Sequence, residues 1–502
     1  IYLVHATLIS LNMLAFIALI ITLVSVCAWS YHYLTYWQKK GVKTISESSL
    51  KNAWDILRFK TFIWKLMDDL YWRYDDKYRG FFMLENPAFF VKDLDLINRI
   101  LVKDFEYFPD RTLGRNPADD HLGAHILFLT RGFVWKFMRS KMTQAYSTSR
   151  INLQIPLMEK VAKEFCEYIA DRQSQMIDIK EAAAQYSTDV ICLSAYGIPG
   201  NSFTDQKDNY RTVTAKIFSP AWSRAFAFNL HYVAPRFLKL FSLTFLDKSV
   251  NKRLKNTYAE QIDMKMKIGE SQHDFLDFLI ELSKKETDPR FRIDHNAMVS
   301  QAAQYFLAGF ETIGSTFSYI IYELAKHEDC QTRLREEIET VLSNYNGTIN
   351  SGALKEMVYL EMVLRETMRM YPILPFLDRK VAKDYQIPNT DIILKKGTNV
   401  YISTIGMHMD PKYFPEPHKF DPGRFTPENK RNIEPFTYLP IGAGPRICIG
   451  ARYGFTTIKV GVIHLIKNFE VSTCSGTPEK IEYVSSFVLV PSKPINVVFT
   501  KI

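Results

Sequence analysis

Cys448 lies in a glycine-rich loop whose residue types could hold a metal ion beside a flat cofactor. The loop spans residues 438–454 and reads YLPIGAGPRICIGARYG. Glycines let the backbone turn tightly and approach a planar partner. The apolar run after the cysteine predicts that its thiol lies where a helix begins, and the N–H groups at such a place favour a thiolate. This arrangement suits an iron ligand, whereas an ordinary buried cysteine is the alternative for a lone thiol.

A lone acid and a neighbouring hydroxyl form a second candidate group, in a long apolar segment. Between Asp294 and Glu323 the only charged residue is Glu311, and the run is helical in character. A carboxylate buried in such a helix must be paired, neutralised or functional. Thr312 can donate a hydrogen bond to the carbonyl of Ala308 and bend the helix. The bend would open a groove for a diatomic ligand, and a polar kink without catalytic function is the alternative.

The chain that must position these residues has 502 residues, which allows one large domain or two or three smaller ones. Hydrophobic residues make up 47% and aromatic residues 14%, which supports a large core and argues against wholesale disorder. The net charge of +9 is spread along the sequence, and no long Lys/Arg tract is interleaved with aromatic residues. Nucleic-acid binding is therefore not indicated, whereas an anionic membrane surface or an acidic protein partner fits the charge.

Cysteine and histidine usage argues against a disulfide scaffold or a zinc site. Six cysteines lie far apart without a C-x-x-C pair, as expected in a reducing, cytosol-facing compartment. They are Cys27, Cys166, Cys192, Cys330, Cys448 and Cys474. Three histidines could each ligate a metal but have no partner at metal-binding spacing: His408, His418 and His464. We interpret these histidines as ordinary residues.

The N-terminal segment is apolar enough to predict a membrane anchor. Residues 1–38 contain no Lys, Arg, Asp or Glu, and the stretch 8–29 is long enough for the ~20 apolar residues that cross a bilayer. Aromatic residues and then lysines follow it, which places the remainder on the cytosolic side. A cleaved signal peptide is the alternative, but its apolar core would be only ~7–15 residues long. The predicted division is an anchor over 1–38, a linker over 39–50 and one domain over 51–502.

Secondary-structure signals along the body are mainly helical. The chain from 151 to about 282 has a helical pattern, with loops predicted near 197–205 and 219–235. Residues 80–93 indicate a β-hairpin that turns at Asn86 and Pro87. Further strand-like pieces are 391–394, 399–403 and 494–499. The dense aromatic residues between 218 and 245 are either a substrate roof that dips into the membrane or part of the core.

The sequence G-A-G-P-R-I-C-I-G in the loop resembles the haem-ligand signature of the cytochrome P-450 superfamily. In that signature a Phe usually precedes the first glycine, where this chain has Ile441. Four other motifs occur in family order: W-x-x-x-R at 135–139, A-G-F-E-T at 308–312, E-x-x-R at 366–369 and D-P-G-R-F at 421–425. Three segments are most similar to the insect family-six microsomal enzymes: V-K-D-F-E-Y-F-P-D-R, A-G-F-E-T and Y-F-P-E-P-H-K-F-D-P-G-R-F. With the anchor, the resemblance covers nearly the whole chain.

The resemblance implies a mainly α fold with a minor β domain, the cytochrome P-450 fold, with an N-terminal transmembrane anchor helix. It implies haem b as the cofactor, with Cys448 as the axial thiolate ligand of the iron. In the family, the counterparts of Trp135 and Arg139 contact a haem propionate, and Arg379 is a further candidate propionate ligand. The other residues implied to bind the cofactor are Arg446, Gly442, Gly444, Gly450 and Ile441. Because the family aromatic shields the thiolate face, isoleucine there is expected to change redox tuning more than haem binding.

The resemblance also implies roles for three further groups. Thr312 stabilises the oxygen that the iron activates, and Glu311 relays protons. An ionic triad fixes the core around the haem loop, since removal of one buried partner strands a charge at ~3–5 kcal/mol. The triad residues are Glu366, Arg369 and Arg424. The candidate substrate pocket comprises Phe306, Ala308, Phe376 and Leu377.

The implied function is a membrane-anchored haem-thiolate monooxygenase that inserts one oxygen atom from O2 into small lipophilic xenobiotics, lipids or hormones. No nucleotide-binding glycine fingerprint follows a predicted strand, so the electrons must come from outside. The implied donor is NADPH–cytochrome P-450 reductase, with cytochrome b5 as an additional candidate, at the endoplasmic reticulum (microsomal) membrane and on its cytosolic side. Candidate basic contacts for the reductase, each of which could also be a solvated surface residue, are Lys136, Lys141, Arg452 and Lys459.

Two alternative functions are open from the sequence. One is a haem-thiolate protein that senses or sequesters ligands without turnover, for which Ile441 and Ile313, where relatives usually carry a hydroxyl residue, leave room. The intact pair of Glu311 and Thr312 argues against it. The other is a haem-thiolate isomerase or dehydratase that works without a reductase. Dependence of turnover on NADPH and reductase would separate all three.

Overall fold

Helices form most of the chain in the computed structural model, which describes residues 2–45, 49–84, 86–113, 121–204, 210–211, 222–234, 248–269, 274–285, 288–484, 486 and 488–502. The helices of the first half are α1 (Tyr2–Thr35), α2 (Ser49–Leu57), α3 (Ile63–Arg73), α4 (Leu94–Asn98), α5 (His121–His125), α6 (Gly132–Met142), α7 (Thr148–Ala170), α8 (Ile179–Tyr196) and α9 (Trp222–Val233). Those of the second half are α10 (Lys248–Ile268), α11 (Phe275–Lys285), α12 (His295–Lys326), α13 (Glu328–Asn344), α14 (Ser351–Glu356), α15 (Val358–Met370), α16 (Thr404–His408), α17 (Pro427–Asn432) and α18 (Ala451–Asn468). Short 3₁₀ or π turns cover Gln38–Lys40, Arg99–Lys103, Phe105–Tyr107, Thr143–Tyr146, Pro422–Phe425 and Gly444–Arg446. The predicted mainly α architecture is confirmed.

The strands of the described residues form three small sheets. They are β1 (Tyr78–Met83), β2 (Asn86–Val91), β3 (Ile177–Asp178), β4 (Phe376–Lys380), β5 (Tyr385–Gln386), β6 (Ile393–Leu394), β7 (Asn399–Ser403), β8 (Phe469–Ser472) and β9 (Asn496–Lys501). The largest sheet has the order β1-β2-β7-β4, in which β2 and β7 are parallel and the other neighbours antiparallel. A second sheet has the order β3-β9-β8, and a third pairs β5 with β6. The three strand-like pieces predicted near the C-terminus are present as β6, β7 and β9, with somewhat different ends.

The hairpin formed by β1 and β2 turns earlier than predicted. Phe82 of β1 pairs with Pro87, so Asn86 and Pro87 begin β2 instead of forming the turn. Proline lacks the N–H of a ladder hydrogen bond and is accepted at the first residues of a strand. The position is tolerated because β2 pairs with β7 only from Ala88 onward, where it meets Asn399. The predicted turn at Asn86 and Pro87 is therefore wrong.

Residues 219–235, predicted to form a loop, contain the helix α9. The ring of Tyr232 on this helix is buried and packs on Phe376 at a centroid distance of 5.7 Å. Leu230 and Val233 are buried as well, so one face of the helix belongs to the core. Four members of the aromatic group, Phe218, Phe237, Phe241 and Phe245, lie outside the described residues.

Helix α12 is a continuous, largely buried element that carries the lone acid and its neighbouring hydroxyl. Asp294 caps its N-terminus by accepting a hydrogen bond from the N–H of Ala297 at 2.8 Å. The helix packs along α8, and the Ser187 hydroxyl of α8 donates to the carbonyl of Phe310 at 2.8 Å. Gly314 permits this approach, because a Cβ at that position would lie only 3.2 Å from the backbone of α8. The core therefore fixes α12 from one side.

Helix α1 exposes the apolar side chains that the structure describes there. Leu14, Phe16, Leu19 and Leu23 are each between 62% and 65% exposed. Within the described parts of the chain, we find no helix with the combination of length and apolar character that a membrane crossing requires. The predicted transmembrane anchor is therefore not confirmed.

The end of α1 and the residues that follow it pack against the largest sheet. Trp37 is 1% exposed, and its indole N–H donates to a backbone carbonyl of β1 at 2.9 Å. The indole lies against Gly80, where any Cβ would overlap the ring. Tyr33 stacks on Phe82 at 4.1 Å, and residues 43–45 form backbone hydrogen bonds with Gly80. Part of the segment predicted to be a linker is thus packed onto the folded body.

Candidate active site

A cavity lies between α12, the cysteine loop and the largest sheet. Its lining is mainly apolar and includes Ile126, Leu127, Leu307, Ile373, Leu374 and Val488. The predicted site residues that line it are Cys448, Arg446, Trp135, Arg139, Ile441, Gly450, Thr312, Ala308 and Leu377. The fold therefore brings together residues from α6, α12, β4 and the cysteine loop, which are far apart in the sequence.

The cysteine loop has the tight geometry that its glycines predict. Gly442 and Gly444 have φ angles of +75° and +70°, a region that L side chains rarely adopt. A side chain at Gly444 would also overlap the carbonyl of Leu101. The N–H of Cys448 donates to the carbonyl of Ile441 at 3.0 Å and closes the loop. Because α18 begins at Ala451, within the last part of the loop, the thiol lies at a helix start, as the sequence predicted.

The Cys448 thiol is accessible from the cavity and otherwise surrounded by protein. Burial raises the pKa of this thiol, because desolvation disfavours the charged form. The N–H groups of Gly450 and Ala451 and the charge of Arg139 act in the opposite direction on the same pKa. A coordinated metal cation deprotonates a thiol outright. The surroundings of Cys448 are therefore suited to a thiolate that is bound to a cation.

Three arginines form a buried positive cluster, of which Arg111 and Arg446 line the cavity and Arg379 does not. Arg111, Arg379 and Arg446 are at most 8% exposed. The carboxylate of Asp378 lies 3.5 Å from Arg111, and that of Asp110 lies 3.7 Å from Arg446. Burial and neighbouring guanidinium groups lower the pKa of Arg379 to about 9 and that of Arg446 to about 8. Such an excess of buried positive charge favours an anionic ligand.

The hydrogen bonds of these arginines indicate where an anion would bind. The Nε atoms of Arg111 and Arg379 are buried and have no hydrogen-bond partner in the described part of the chain. Arg446, in contrast, donates to four backbone carbonyls between residues 109 and 130 and stacks on Trp135 at 4.3 Å. Arg446 is therefore occupied in fixing the loop. Arg111 and Arg379 have the unmet donors that the carboxylates of a haem could satisfy.

Helix α6 presents the predicted W-x-x-x-R pair to the cavity. Trp135 is 6% exposed and packs on Phe105 at 5.4 Å. Arg139 lies one helical turn later on the same face and lines the cavity. Burial lowers the pKa of Arg139, and the nearby Cys448 acts to raise it. Arg139 thus offers a further positive group near the sulfur.

Thr312 and Glu311 are adjacent but face different surroundings. The Thr312 hydroxyl lines the cavity and donates to the carbonyl of Ala308 at 2.6 Å, as the sequence predicted. Glu311 does not line the cavity; its buried carboxylate lies 2.8 Å from the ammonium of Lys180 and accepts from the hydroxyl of Ser315 at 2.9 Å. Burial raises the pKa of Glu311, but Lys180 and Ser315 outweigh this effect and hold the pKa below its usual value. The acid is therefore ionised and paired.

The Glu366 carboxylate holds two arginines in the core. Arg369 donates to both of its oxygens, at 2.7 and 2.8 Å, and the Nε of Arg424 lies 3.4 Å from it. The N–H of Asp421 adds a hydrogen bond at 3.0 Å. Glu366 and Arg369 are both 0% exposed. The structure thus joins the three predicted triad residues in one desolvated network beside α15.

Two of the four residues predicted to form the substrate pocket point away from the cavity. Ala308 and Leu377 line it, whereas Phe306 and Phe376 do not. Phe376 directly precedes Leu377 on β4, and successive side chains of a strand lie on opposite faces. Phe306 lies on another face of α12, where its ring packs on Phe310 at 5.3 Å. Phe306 and Phe376 are therefore core residues, and the prediction for these two is wrong.

Lys459 was predicted to be a basic surface contact for a redox partner, and this prediction is also wrong. Its side chain is buried on α18, where the ammonium lies 2.9 Å from Glu361 and donates to the carbonyl of Leu354 at 3.3 Å. The helix packs this face against the protein, so the charge is neutralised internally. Lys136 and Arg452 are exposed.

Sequence reasoning missed Arg111 and Lys180. Arg111 lies in the segment F-P-D-R-T, which contains no spacing that marks a ligand. Lys180 reaches Glu311 only because α8 packs along α12. A positive charge opposite the lone acid could have been expected, since a buried carboxylate needs a partner, but not its position in the chain.

Comparisons with known proteins identify the family of the chain. The family profile described as Cytochrome P-450 matches residues 49–499. Cytochrome P-450 6k1 of Blattella germanica is 35% identical over 501 residues, which cover 95% of each chain. Cytochrome P-450 6j1 of the same species is 35% identical over 467 residues, or 92% of each chain. Probable cytochrome P-450 6g2 of Drosophila melanogaster is 32% identical over 490 residues, which cover 93% of this chain and 94% of the relative.

Proposed function

The chain belongs to the cytochrome P-450 family, and from this premise we propose that it is a membrane-associated enzyme for small lipophilic substrates, with electrons from NADPH supplied by a separate reductase. Family membership establishes a monooxygenase with a haem iron on a cysteine thiolate, and the resemblance to insect family-six enzymes is confirmed. The observation that carries the finer proposal is the apolar cavity lined by both Cys448 and Thr312. Mainly apolar lining with a few polar groups selects lipophilic ligands.

The residues around Cys448 fit a haem. Its sulfur would ligate the haem iron, and Arg111, Arg139 and Arg379 would pair with the propionates. When bound, the haem iron supplies oxygen activation, and a thiolate ligand favours O–O cleavage over reversible oxygen storage. Ile441 lines the cavity from within the loop and lacks the ring of the family pattern, so we expect it to affect redox tuning more than cofactor binding.

In this proposal, Thr312 and Glu311 have different roles in proton transfer. Thr312 is the group that faces the cavity, and its hydroxyl can supply a hydrogen bond there when it leaves the carbonyl of Ala308. Glu311 lies behind it, ionised against Lys180, whose side chain is 13% exposed. The ion pair therefore connects the interior of α12 with a side chain that reaches the surface. Glu311 would act through Thr312 and not directly on the substrate.

The electron donor is proposed to be NADPH–cytochrome P-450 reductase, with cytochrome b5 as a further candidate. A basic surface suits an acidic protein partner, since charge complementarity steers association. Lys136 and Arg452 are exposed, and the Arg452 guanidinium donates to the hydroxyl of Thr148 at 2.9 Å, which holds its charge at the start of α7. With Lys141 on α6, these residues form the proposed docking contacts.

Thr312→Ala tests the proposed chemistry in a reconstituted system of purified protein, reductase, NADPH and a panel of lipophiles. The wild type is expected to incorporate one oxygen atom from O2, with turnover that requires both NADPH and reductase. The variant lacks the hydroxyl that handles protons at the cavity. It is expected to release more hydrogen peroxide and to form at least ~10-fold less product per NADPH consumed.

Thr340→Ala is the matched control for this experiment. Thr340 makes the same type of hydrogen bond, to the carbonyl of Glu336 one turn earlier, on an exposed face of α13. Its loss is expected to leave coupling unchanged. Turnover without reductase would contradict the proposed electron donor and favour an isomerase or dehydratase. Unaltered coupling in the Thr312 variant would contradict the role of its hydroxyl.

Membrane association is proposed to reside in α1, at the endoplasmic reticulum and with the body on the cytosolic side. Residues 1–38 carry no Lys, Arg, Asp or Glu. The described apolar side chains of α1 between residues 13 and 24 are exposed. A helix with that much exposed apolar surface is unfavourable in water and favours a lipid partner.

Deleting residues 1–30 is expected to move most of the protein from the membrane fraction to the soluble fraction without loss of the fold. The deletion removes the exposed part of α1 and retains Tyr33 and Trp37, which pack on the sheet. Deleting residues 1–45 also removes the buried Trp37 and should destabilise the protein by about 3–5 kcal/mol. Fractionation and thermal unfolding measure the two effects. Full membrane binding after the shorter deletion would show that α1 is not the anchor.

A further inference from the structure

His408, the last residue of α16, is fully buried between the Glu366–Arg369 pair and the start of the cysteine loop. It is 0% exposed. Its Nδ1 lies 3.1 Å from the carbonyl oxygen of Arg369, and its Nε2 lies 2.8 Å from the backbone nitrogen of Leu439. The imidazole therefore connects helix α15 to the loop over residues 438–454.

These two contacts fix the protonation state of the imidazole. A carbonyl oxygen only accepts hydrogen bonds, so Nδ1 carries the hydrogen and donates to Arg369. A backbone N–H only donates, so Nε2 carries the lone pair and accepts from Leu439. Burial and the nearby guanidinium of Arg369 lower the pKa of His408 to about 3. The neutral tautomer with hydrogen on Nδ1, assigned from its partners, is therefore kept at physiological pH.

The contacts are reciprocal on the side of α15. Arg369 donates through Nη1 to the backbone carbonyl of His408 at 2.8 Å. Its Nε and Nη2 donate to the two oxygens of Glu366. Both the backbone and the side chain of His408 are thus tied to one arginine, whose own position is fixed by a buried carboxylate.

On the loop side, the contacts hold the first residues of the cysteine loop. The ring of Tyr438 stacks on the imidazole at 5.3 Å with an interplanar angle of 28°. The Tyr438 hydroxyl donates to the carbonyl of Arg365 on α15 at 2.9 Å. Leu439 is 4% exposed, so its N–H would be left without a ready partner if the imidazole were lost.

We propose that His408 is a positioning residue that couples the buried Glu366–Arg369 pair to the loop that presents Cys448. It does not line the cavity, so it acts through the loop and not on the cofactor. The hydrogen bond to Leu439 sets where the loop begins and thereby the direction in which the sulfur is offered. The proposal rests on Cys448 as the haem ligand. Loss of the Leu439 hydrogen bond therefore weakens thiolate ligation more than it weakens the fold.

Two amide variants separate the two side-chain hydrogen bonds of His408. In His408→Gln the amide oxygen can take the place of Nε2 and accept from Leu439. In His408→Asn the shorter amide can take the place of Nδ1 and donate to Arg369, but it does not reach Leu439. His408→Leu removes both hydrogen bonds and keeps the bulk. His464→Asn is the control, at a partly buried histidine of α18 whose imidazole lies 3.8 Å from Glu159.

The haem-loaded proteins are compared by the thiolate-type band of the reduced carbon monoxide complex, by the midpoint potential, by thermal unfolding and by amide exchange at residue 439. The Gln variant and the control are expected to keep the band and the potential. The Asn and Leu variants are expected to lose most of the band, while the amide of Leu439 exchanges about tenfold faster.

Equal behaviour of the Gln and Asn variants, whether both keep or both lose the band, would overturn the coupling through Leu439. The comparison of the Gln and Asn variants remains decisive even when the Leu variant does not fold, because the two amides differ only in which hydrogen bond they retain. A wild-type protein without the thiolate-type band would refute Cys448 as the ligand and, with it, the coupling. A wild-type band with equal amide variants would refute the coupling alone.

Discussion

Serine in place of Cys448 is expected to abolish the thiolate-type band of the reduced carbon monoxide complex and all reductase-supported monooxygenation. The substitution exchanges one sulfur for oxygen and retains the N–H bond to the carbonyl of Ile441 and the helix start at Ala451. The loop is therefore expected to fold. A serine hydroxyl cannot supply the electron donation by which a thiolate ligand favours O–O cleavage. The carbon monoxide difference spectrum and turnover on a lipophile panel measure the two losses.

Cys474→Ser is the matched control for this substitution. Cys474 is partly buried in the C-terminal segment, where its sulfur accepts a hydrogen bond from Thr477 at 3.6 Å, and it does not line the cavity. The control is expected to retain both the band and turnover. An unchanged spectrum in Cys448→Ser, or loss of the band in the control, would show that another group ligates the iron.

Alanine in place of Glu366 is expected to yield little folded, haem-loaded protein. The substitution removes the carboxylate that holds Arg369 and Arg424. It leaves the Arg369 guanidinium at 0% exposure with only neutral partners, which are backbone carbonyls and the sulfur of Met409. Removing one member of a buried ion pair costs about 3–5 kcal/mol, which is a large part of the stability of a typical domain. Recovery of haem per mole of purified protein and the temperature of unfolding measure the effect.

Asp384→Ala provides the contrast, because it removes an ion pair at the surface. Asp384 lies 2.7 Å from Lys395, and the two side chains are 50% and 54% exposed. Solvent screens such a pair, so its loss is expected to change stability little. Glu366→Gln keeps the shape and part of the hydrogen bonding, and its haem content is expected to lie between those of the wild type and Glu366→Ala. Normal haem incorporation in the alanine variant would show that the triad is dispensable.

Local features of the site could be predicted because their geometry follows from short spacings. Trp135 and Arg139 share a face since four residues make about one helical turn, and the same rule places Glu366 beside Arg369. The apolar run after Cys448 predicted the helix start that the structure has. These properties belong to single elements, so the order of residues along one helix or loop is enough to predict them.

Contacts between distant segments could not be predicted, because no periodicity links them. Lys180 meets Glu311 only through the packing of α8 on α12, and Arg111 meets Asp378 only where residues near 111 pass the largest sheet. His408 was interpreted as an ordinary residue because it has no partner at metal-binding spacing. Its actual partners are backbone groups, which leave no trace in residue types.

The sequence also could not predict which of two neighbouring apolar residues faces the cavity. Phe376 and Leu377 are both apolar and both suited to a pocket, but only one of two neighbours on a strand can face the cavity. The register of β4 against β7 decides which one does. The same holds for the hairpin, where the register of β1 against β2 pairs Met83 with Asn86 and so fixes the position of the turn.

Because the indole of Trp37 packs against Gly80, the end of α1 is fixed on the sheet and cannot pivot. To tilt that helix, the molecule would have to extract the ring from the sheet and break its hydrogen bond, at a cost of about 3–5 kcal/mol. The end of α1 is therefore held against strand β1. This fixed position requires glycine at residue 80, since even the methyl group of alanine would displace the indole.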